Sequence, residues 1–461
     1  MGDSPERAAL AVFRQAADTV PAYAAFLREH GVDPAGVTAL SDVPVMSKDG
    51  YVRRYPLAER CRGGVVGDMI AVSSGSTGEP AFWPRSAEDE RLVADRFELV
   101  FRDAFRAHER PTLAVVCFAL GTWVGGLYTV GCLRELAGRG IRISVVAPGS
   151  DRDEIVRVVT ALAPQFEQTV LLGYPPFLKD VIDSGGDVPW GDFDLKLVTA
   201  GEVFSEEWRS LVARRAGIGD PVRSTASLYG TADAGVLGTE TPLSIEIRRL
   251  LAERPEAARE LFGESRLPTL VQYDPYARYF EEADGRLMFT GDSGVPLVRY
   301  DIADEGGLVP YERMAGFLDA HGLTVKSDGP RLPFVYVFGR SHFTVSFYGA
   351  NVYPENITVG LEQRGIAEAV TGKFVLEVIE DDERDRHLSV TVEQAPDAVP
   401  DPALANRVAA AIVTQLRRLN SEFAHYVPEP RQRPLVRVRA FADPDYFPPG
   451  VKHRYTRGPS A

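Results

Sequence analysis

"AVSSGSTGEP" fills residues 71–80, an apolar entry followed by Ser73, Ser74, Gly75, Ser76, Thr77 and Gly78. Such a run has almost nothing to bury. It is either a solvated turn or a loop shaped around an anion. A Walker A loop needs lysine directly after its last glycine, and Glu79 stands there instead, so that nucleotide fold is excluded. Backbone N–H groups and hydroxyls in this order still suit phosphate oxygens.

The chain around it has 461 residues, 45% hydrophobic and 25% charged, enough for two or three domains. Its net charge of −14 argues against nucleic acid as a partner, because phosphate backbones need a basic footprint. One phosphorylated small molecule in a local site is compatible with that charge. Cys61, Cys117 and Cys132 are widely spaced and form no CxxC, which fits a reducing cytoplasm without a disulfide framework or zinc ribbon. "MGDSPERAAL" lacks the apolar core of a secretion signal. The uncharged stretch "TLAVVCFALGTWVGGLYTVGCL" (112–133) is long enough for a bilayer, but its glycines read as a buried strand, a turn and a buried helix, so no membrane is expected.

Residues 1–60 open with helical apolar spacing interrupted at Pro21 and Gly31. From 61 to 340, β-rich runs ("TLAVVCFAL", "IRISVVAPG", "TVLLGYP", "LKLVTAGE") alternate with helical ones ("DRDEIVRVVTALAPQ", "SEEWRSLVARRAG"). That alternation predicts a parallel sheet covered by helices, with functional loops at strand ends. After "VYVFGR" (335–340) the pattern changes to a hairpin ("KFVLEVIE", "LSVTVEQ"), a long amphipathic helix over "PALANRVAAAIVTQLRRLNSEFAHYV" and a last strand, "LVRVRAF". The segment 305–332 gives no clear reading.

Four more motifs follow the opening one: "SLYGTADAG" (227–235), "GDSGVPLVRYDIADEG" (291–306), "FGRSHFTVSFYGANVYP" (338–354) and "PPGVKHRYTRG" (448–458). In order and spacing they resemble the adenylate-forming superfamily of acyl-CoA synthetases and peptide-synthetase adenylation domains, and within it the phenylacetate–CoA ligase branch. The resemblance covers nearly the whole chain from about residue 60. It implies an α/β fold: a large N-terminal domain of helix-covered sheets (1–341, with 1–60 a helical segment) and a small, mobile α+β C-terminal domain (342–461) joined by a hinge at His342.

The resemblance also implies roles. Ser73 to Gly78 would cradle the β- and γ-phosphates of ATP, with Thr77 in the catalytic set. Tyr229 would stand beside adenine, with Gly230 and Thr231 next to it. Gly201 and Glu202, in "TAGEVF", would pass between the acyl group and adenine. Asp233 would hold Mg²⁺, Asp304 would accept both ribose hydroxyls, and Arg340 would reach the ribose and phosphates. Lys452 would bridge substrate carboxylate and α-phosphate, and Gly349 would lie in a thiol-access turn. Phe118, Trp123, Gly125, Tyr128 and Tyr174 would wall an apolar pocket, and its glycines suit an aromatic or cyclic carboxylic acid. Such an enzyme would adenylate a small-molecule acid and pass it to coenzyme A. A carrier-protein thiol or an amine is the alternative acceptor, and the resemblance leaves room for a homodimer. Glu79 in place of a loop lysine, Asp233 in place of glutamate, Ala232 in place of a hydroxyl residue and His342 at the hinge depart from the family pattern. Glu79, Ala232 and His342 keep open a nucleotide-binding protein that has lost turnover.

Overall fold

Two short strands, β1 (Met69–Val72) and β2 (Phe82–Arg85), pair antiparallel with Val72 opposite Phe82, so both ends of the opening motif are brought together. The computed structural model describes residues 4–456 except 73–80, 123, 202, 265–266, 324–328, 341–344, 348–349, 382–385, 400, 421–422, 425–426, 428, 449–452 and 454.

The valine- and leucine-rich runs form the parallel half of one large sheet. They are β3 (Thr112–Val116), β4 (Ile143–Val146), β5 (Gln168–Gly173), β6 (Leu195–Ala200) and β7 (Thr225–Thr231). An antiparallel half follows: β8 (Gly235–Thr239), β9 (Thr269–Gln272), β10 (Arg278–Ala283), β11 (Arg286–Gly291), β12 (Leu297–Val309) and β13 (Phe334–Arg340). Together they make an eleven-stranded sheet in the order β10-β11-β12-β13-β9-β8-β7-β6-β5-β3-β4. The alternation read from the sequence accounts for the parallel half alone.

Period-2 alternation sends β3 side chains to two cores. Ala114 and Val116 join Val93, Phe97 and Leu133 of helices Ala87–Glu98 and Val124–Gly138. Leu113 and Val115 join Ile155, Leu178 and Val212 of helices Arg152–Leu162, Pro175–Ser184 and Glu206–Arg215. The 112–133 stretch is therefore strand and helix, and among the described residues no helix is long and apolar enough to cross a membrane. Helices Pro5–Thr19 and Pro21–Glu29, the first capped by Ser4, pack Phe13, Tyr23 and Phe26 in one core with Phe280, Phe289 and Tyr300 of the antiparallel half.

The remaining strands are β14 (Val345–Phe347), β15 (Ala350–Val352), β16 (Val370–Glu380), β17 (Arg386–Gln394) and β18 (Leu435–Arg439). The last three form a separate sheet, with β16 and β17 antiparallel and β18 parallel to β17. Helices Pro354–Leu361 and Leu404–Leu419 enclose a core of their own with it, including Phe374, Leu376, Val390 and Ile412. The long amphipathic helix is shorter than its pattern suggests. Asn420 turns extended at φ −127°, and its side-chain oxygen accepts from the Phe423 N–H at 2.9 Å, a local bond that competes with helix continuation.

Polar contacts tie this unit to the large sheet's helices. Lys373 Nζ lies 2.8 Å from Asp180 and 3.2 Å from Glu393. Lys179 donates to Val370 O at 3.3 Å and Arg215 to Ala367 O at 3.0 Å. The Ser205 hydroxyl donates to Glu362.

Candidate active site

Strand β12 carries Asp304 on the same buried face as Tyr300 and Ile302. A carboxylate there needs a donor, since an unpaired buried charge is costly. Tyr229, near the end of β7, supplies one: its hydroxyl donates to Asp304 Oδ2 at 2.8 Å. Asp304 is also opposite Arg340 in the β12–β13 register, and the pairing shifts just beyond, between Glu305 and Gly306. Ala303 takes a left-handed φ of 64°, and its N–H bonds Asp301 Oδ1 at 2.9 Å. Irregularities of this kind re-aim side chains next to functional sites.

β7 leaves Tyr229 through Gly230 and Thr231 into a tight turn. The Thr231 hydroxyl accepts from Ala234 N–H at 3.1 Å. A side chain at Gly230 would collide with the Gly235 carbonyl, so only glycine permits this approach. Asp233 sits in the turn, 6% exposed, and Oδ2 accepts the Tyr300 hydroxyl at 2.5 Å. Arg85, on β2, donates to the carbonyls of Ala232 at 2.6 Å and Asp233 at 3.0 Å. The Arg85 guanidinium also lies 5.8 Å over the Tyr128 ring, and Tyr128 donates to Asp89 O at 3.0 Å. Asp89 caps its own helix through Ser86 and accepts from Gly294 N–H at 2.9 Å, so the first half of the 291–306 motif is held by the helix that follows β2.

The donor set around Asp233 suits magnesium in one respect. Mg²⁺ is commonly bound by one or two carboxylates plus water and substrate phosphates, without an all-protein cage. Among the described residues no group of three acidic, histidine or cysteine side chains is assembled. Asp233 Oδ1 makes no hydrogen bond among them, which leaves one carboxylate oxygen for a cation.

Four of the expected acyl-pocket and loop residues meet. Phe118 and Tyr174 pack edge-to-face at 5.1 Å, and a Cβ on Gly125 would lie 3.7 Å from Phe118. Gly201 has φ +82°, with its missing Cβ position 2.9 Å from the Tyr174 ring. Tyr128 is directed elsewhere. It is 6% exposed, and its hydroxyl is occupied by Asp89.

No family model matches the chain. A phenylacetate–coenzyme A ligase of Thermus thermophilus is 25% identical over 352 residues, covering 74% of this chain and 70% of the relative. A 2-hydroxyisobutyryl-CoA ligase in its postadenylation state, bound to R3-HIB-AMP, superposes with a TM-score of 0.66 over 98% of this chain and 89% of its own, at 17% identity. An open conformation of that ligase, bound to 2-HIB-AMP and CoA, gives 0.51 over 98% and 91%, at 16% identity. The chain shares its fold with these ligase structures.

Tyr229, Gly230, Thr231, Asp233, Asp304 and the backbone of Arg340 converge between β7, β12 and β13. Ser73, Ser74, Gly75, Ser76, Thr77, Gly78, Trp123, Glu202, His342, Gly349 and Lys452 lie outside the described residues. Arg85 and Tyr300 were not singled out in the sequence. Arg85 is 147 residues from the first carbonyl it holds and Tyr300 is 67 from Asp233, so no local spacing announces either one. Tyr300 does fall inside the quoted "VPLVRYDIAD", and its place two alternations before Asp304 on one strand face was the available signal.

Proposed function

We propose that the protein is an AMP-forming acid–thiol ligase that adenylates a carboxylic acid and transfers the acyl group to coenzyme A. The observation that carries this reading is the buried Tyr229–Asp304 pair with Arg340 opposite it in register. It gives a carboxylate at a strand position where ribose hydroxyls can be accepted, next to an aromatic ring. The ligase named for the Thermus relative supports the choice of reaction.

Residues 73–78 donate to the β- and γ-phosphates, Asp304 orients the ribose, and Lys452 brings the substrate carboxylate to the α-phosphate. Positioning and charge neutralisation supply the rate, with no covalent enzyme intermediate. Asp233 would hold Mg²⁺, which would supply neutralisation of phosphate charge. Phe118 and Tyr174, packed edge-to-face against Gly125 and Gly201, favour an aromatic or cyclic acid. Pyrophosphate exchange with a panel of aryl and alicyclic acids tests the first half-reaction, and thioester formation with coenzyme A tests the second. No acid-dependent exchange overturns the reading. Exchange without thioester moves the acceptor to a carrier-protein thiol or an amine.

A further inference from the structure

Where β7 meets β8, one backbone N–H is taken by a side chain. Ser227 and Glu240 stand opposite each other, one step outside the Leu228–Thr239 pair. The Glu240 N–H donates to Ser227 O at 2.7 Å, but the Ser227 N–H donates to Glu240 Oε2, at 2.9 Å. The other carboxylate oxygen, Oε1, accepts from Arg209 Nη2 at 2.8 Å and from Arg248 Nη1 at 3.0 Å. Both arginines also pair with Glu206, Arg209 Nε at 2.9 Å and Arg248 Nη1 at 3.0 Å. Arg209 Nη1 donates in addition to Thr225 Oγ1, at the start of β7, at 2.5 Å. Arg248, on helix Pro242–Ala252, donates through Nη2 to Phe204 O at 2.8 Å. All four charged side chains are 7% exposed or less.

A buried ionic cluster adds little stability over apolar packing of the same volume. What an apolar side chain cannot do is accept an amide proton. Two residues along β7 from that amide is Tyr229, whose hydroxyl donates to Asp304. Just beyond Tyr229 the β7–β8 register shifts, between Tyr229 and Gly230. With the ladder irregular on one side of Tyr229, the bond at Ser227 fixes the strand from the other. We propose that Glu240 is a positioning residue for the nucleotide half of the site: its carboxylate, clamped by Arg209 and Arg248, holds β7 at Ser227 and so sets where Tyr229 meets Asp304. This rests on the function proposed above. The role needs a carboxylate. Both of its oxygens accept, one from the strand and one from the guanidinium groups, whereas an amide has a single acceptor oxygen.

The test uses the full chain with Glu240→Gln, Tyr229→Phe and the double variant. The first readout needs no ligand. In Glu240→Gln, hydrogen exchange accelerates at the amides of 227–229, while those of β3 and β5 keep their protection. Unchanged exchange at 227–229 overturns the role, and a loss that extends through β3 and β5 shows general packing and overturns it equally. The second readout is calorimetric binding of Mg·ATP. Glu240→Gln weakens it about tenfold, the scale of one hydrogen bond to a charged group. In the Tyr229→Phe background the same substitution weakens it little further, because the contact that Glu240 positions is already gone. Full additivity of the two substitutions means that Glu240 does not act through Tyr229 and overturns the proposal. Should Glu240→Gln fail to fold, Glu240→Met with Arg209→Met leaves Arg248 opposite Glu206, restores the charge balance and carries the same readouts. A wild type that binds no Mg·ATP overturns the function proposed above and this role with it. ATP binding in wild type with additive losses overturns this role alone.

Discussion

Tyr229 and Asp304 stand 75 residues apart in the chain and share a buried hydrogen bond of 2.8 Å between two strands that are not neighbours in the sheet. The bond satisfies a buried carboxylate oxygen and holds the Tyr229 ring beside it. Tyr229→Phe removes a donor to a charged acceptor, worth about 1.5–3 kcal/mol, and urea unfolding measures that loss. Asp304→Asn keeps the shape but removes the charge. It lowers nucleotide affinity in calorimetry and leaves acid affinity in place. Intact ATP binding in Asp304→Asn makes this aspartate a purely structural partner of Tyr229.

The sequence carries the parallel half of the sheet openly, because β3, β5 and β6 are short runs of Val and Leu between helices with legible caps such as Ser205 and Asp151. The antiparallel half is hidden. β12 reads as a motif full of Gly and Asp, and only pairing with β11 and β13 makes it a strand. Asp304 and Asp233 could be named from the resemblance, but their partners could not. Those partners are set by strand register across the sheet, which no window of neighbouring residues contains.

Ser74 and Thr77 lie between the paired ends of β1 and β2. Replacing both by alanine removes two hydroxyl donors to charged oxygens, about 1.5–3 kcal/mol each. The expected outcome is a raised KM for ATP with an unchanged melting temperature. An unaltered ATP dependence in the double variant would remove the loop from the phosphate site.

Glu362 couples stability to pH. Its Oε1 is buried without a hydrogen-bond partner, and burial pushes the carboxyl from 4.5 up to about 8, against the lowering effect of the Ser205 hydroxyl. Glu207 and Glu206 add to the rise and Lys179 opposes it. Between 4.5 and about 8 the folded chain therefore binds more protons at this site than the unfolded chain. Stability contributed by the neutral form is complete below that window and is lost as pH rises through it. Glu362→Gln keeps a neutral side chain of the same shape, so its melting temperature declines less than wild type over that window. Parallel curves would mean that Glu362 is already ionised in the folded protein.

Gly201 tests the acyl wall. Its φ of +82° is unfavourable for any side chain, and an added Cβ meets the Tyr174 ring at 2.9 Å. Tyr174 in turn packs on Phe118. Gly201→Ala carries backbone strain of about 1–3 kcal/mol and pushes the ring toward the space assigned to the acid. It lowers kcat/KM for aromatic acids more than for small aliphatic ones, with KM for ATP little changed. Equal losses for all acids would place Tyr174 outside the acyl pocket.

Lys452 and Lys373 separate chemistry from docking in the C-terminal region. Lys373 sits on Asp180 and Glu393 and holds the small sheet against helix Pro175–Ser184. In the proposed reaction it touches no substrate, whereas Lys452 neutralises the α-phosphate. Lys452→Ala should cut acyl-adenylate formation by about a hundredfold or more, the scale of losing one electrostatic stabiliser. Thioester formation from a preformed acyl-adenylate should be spared. Lys373→Met should do neither selectively. It leaves Asp180 buried without its closest cation, so hydrogen exchange in helix Pro175–Ser184 accelerates and both half-reactions shift together. Single-turnover measurements of each half-reaction on both variants decide the matter. If Lys452→Ala depresses adenylation and thioester formation in the same ratio as Lys373→Met, Lys452 contributes to docking and another group must carry the charge at the α-phosphate.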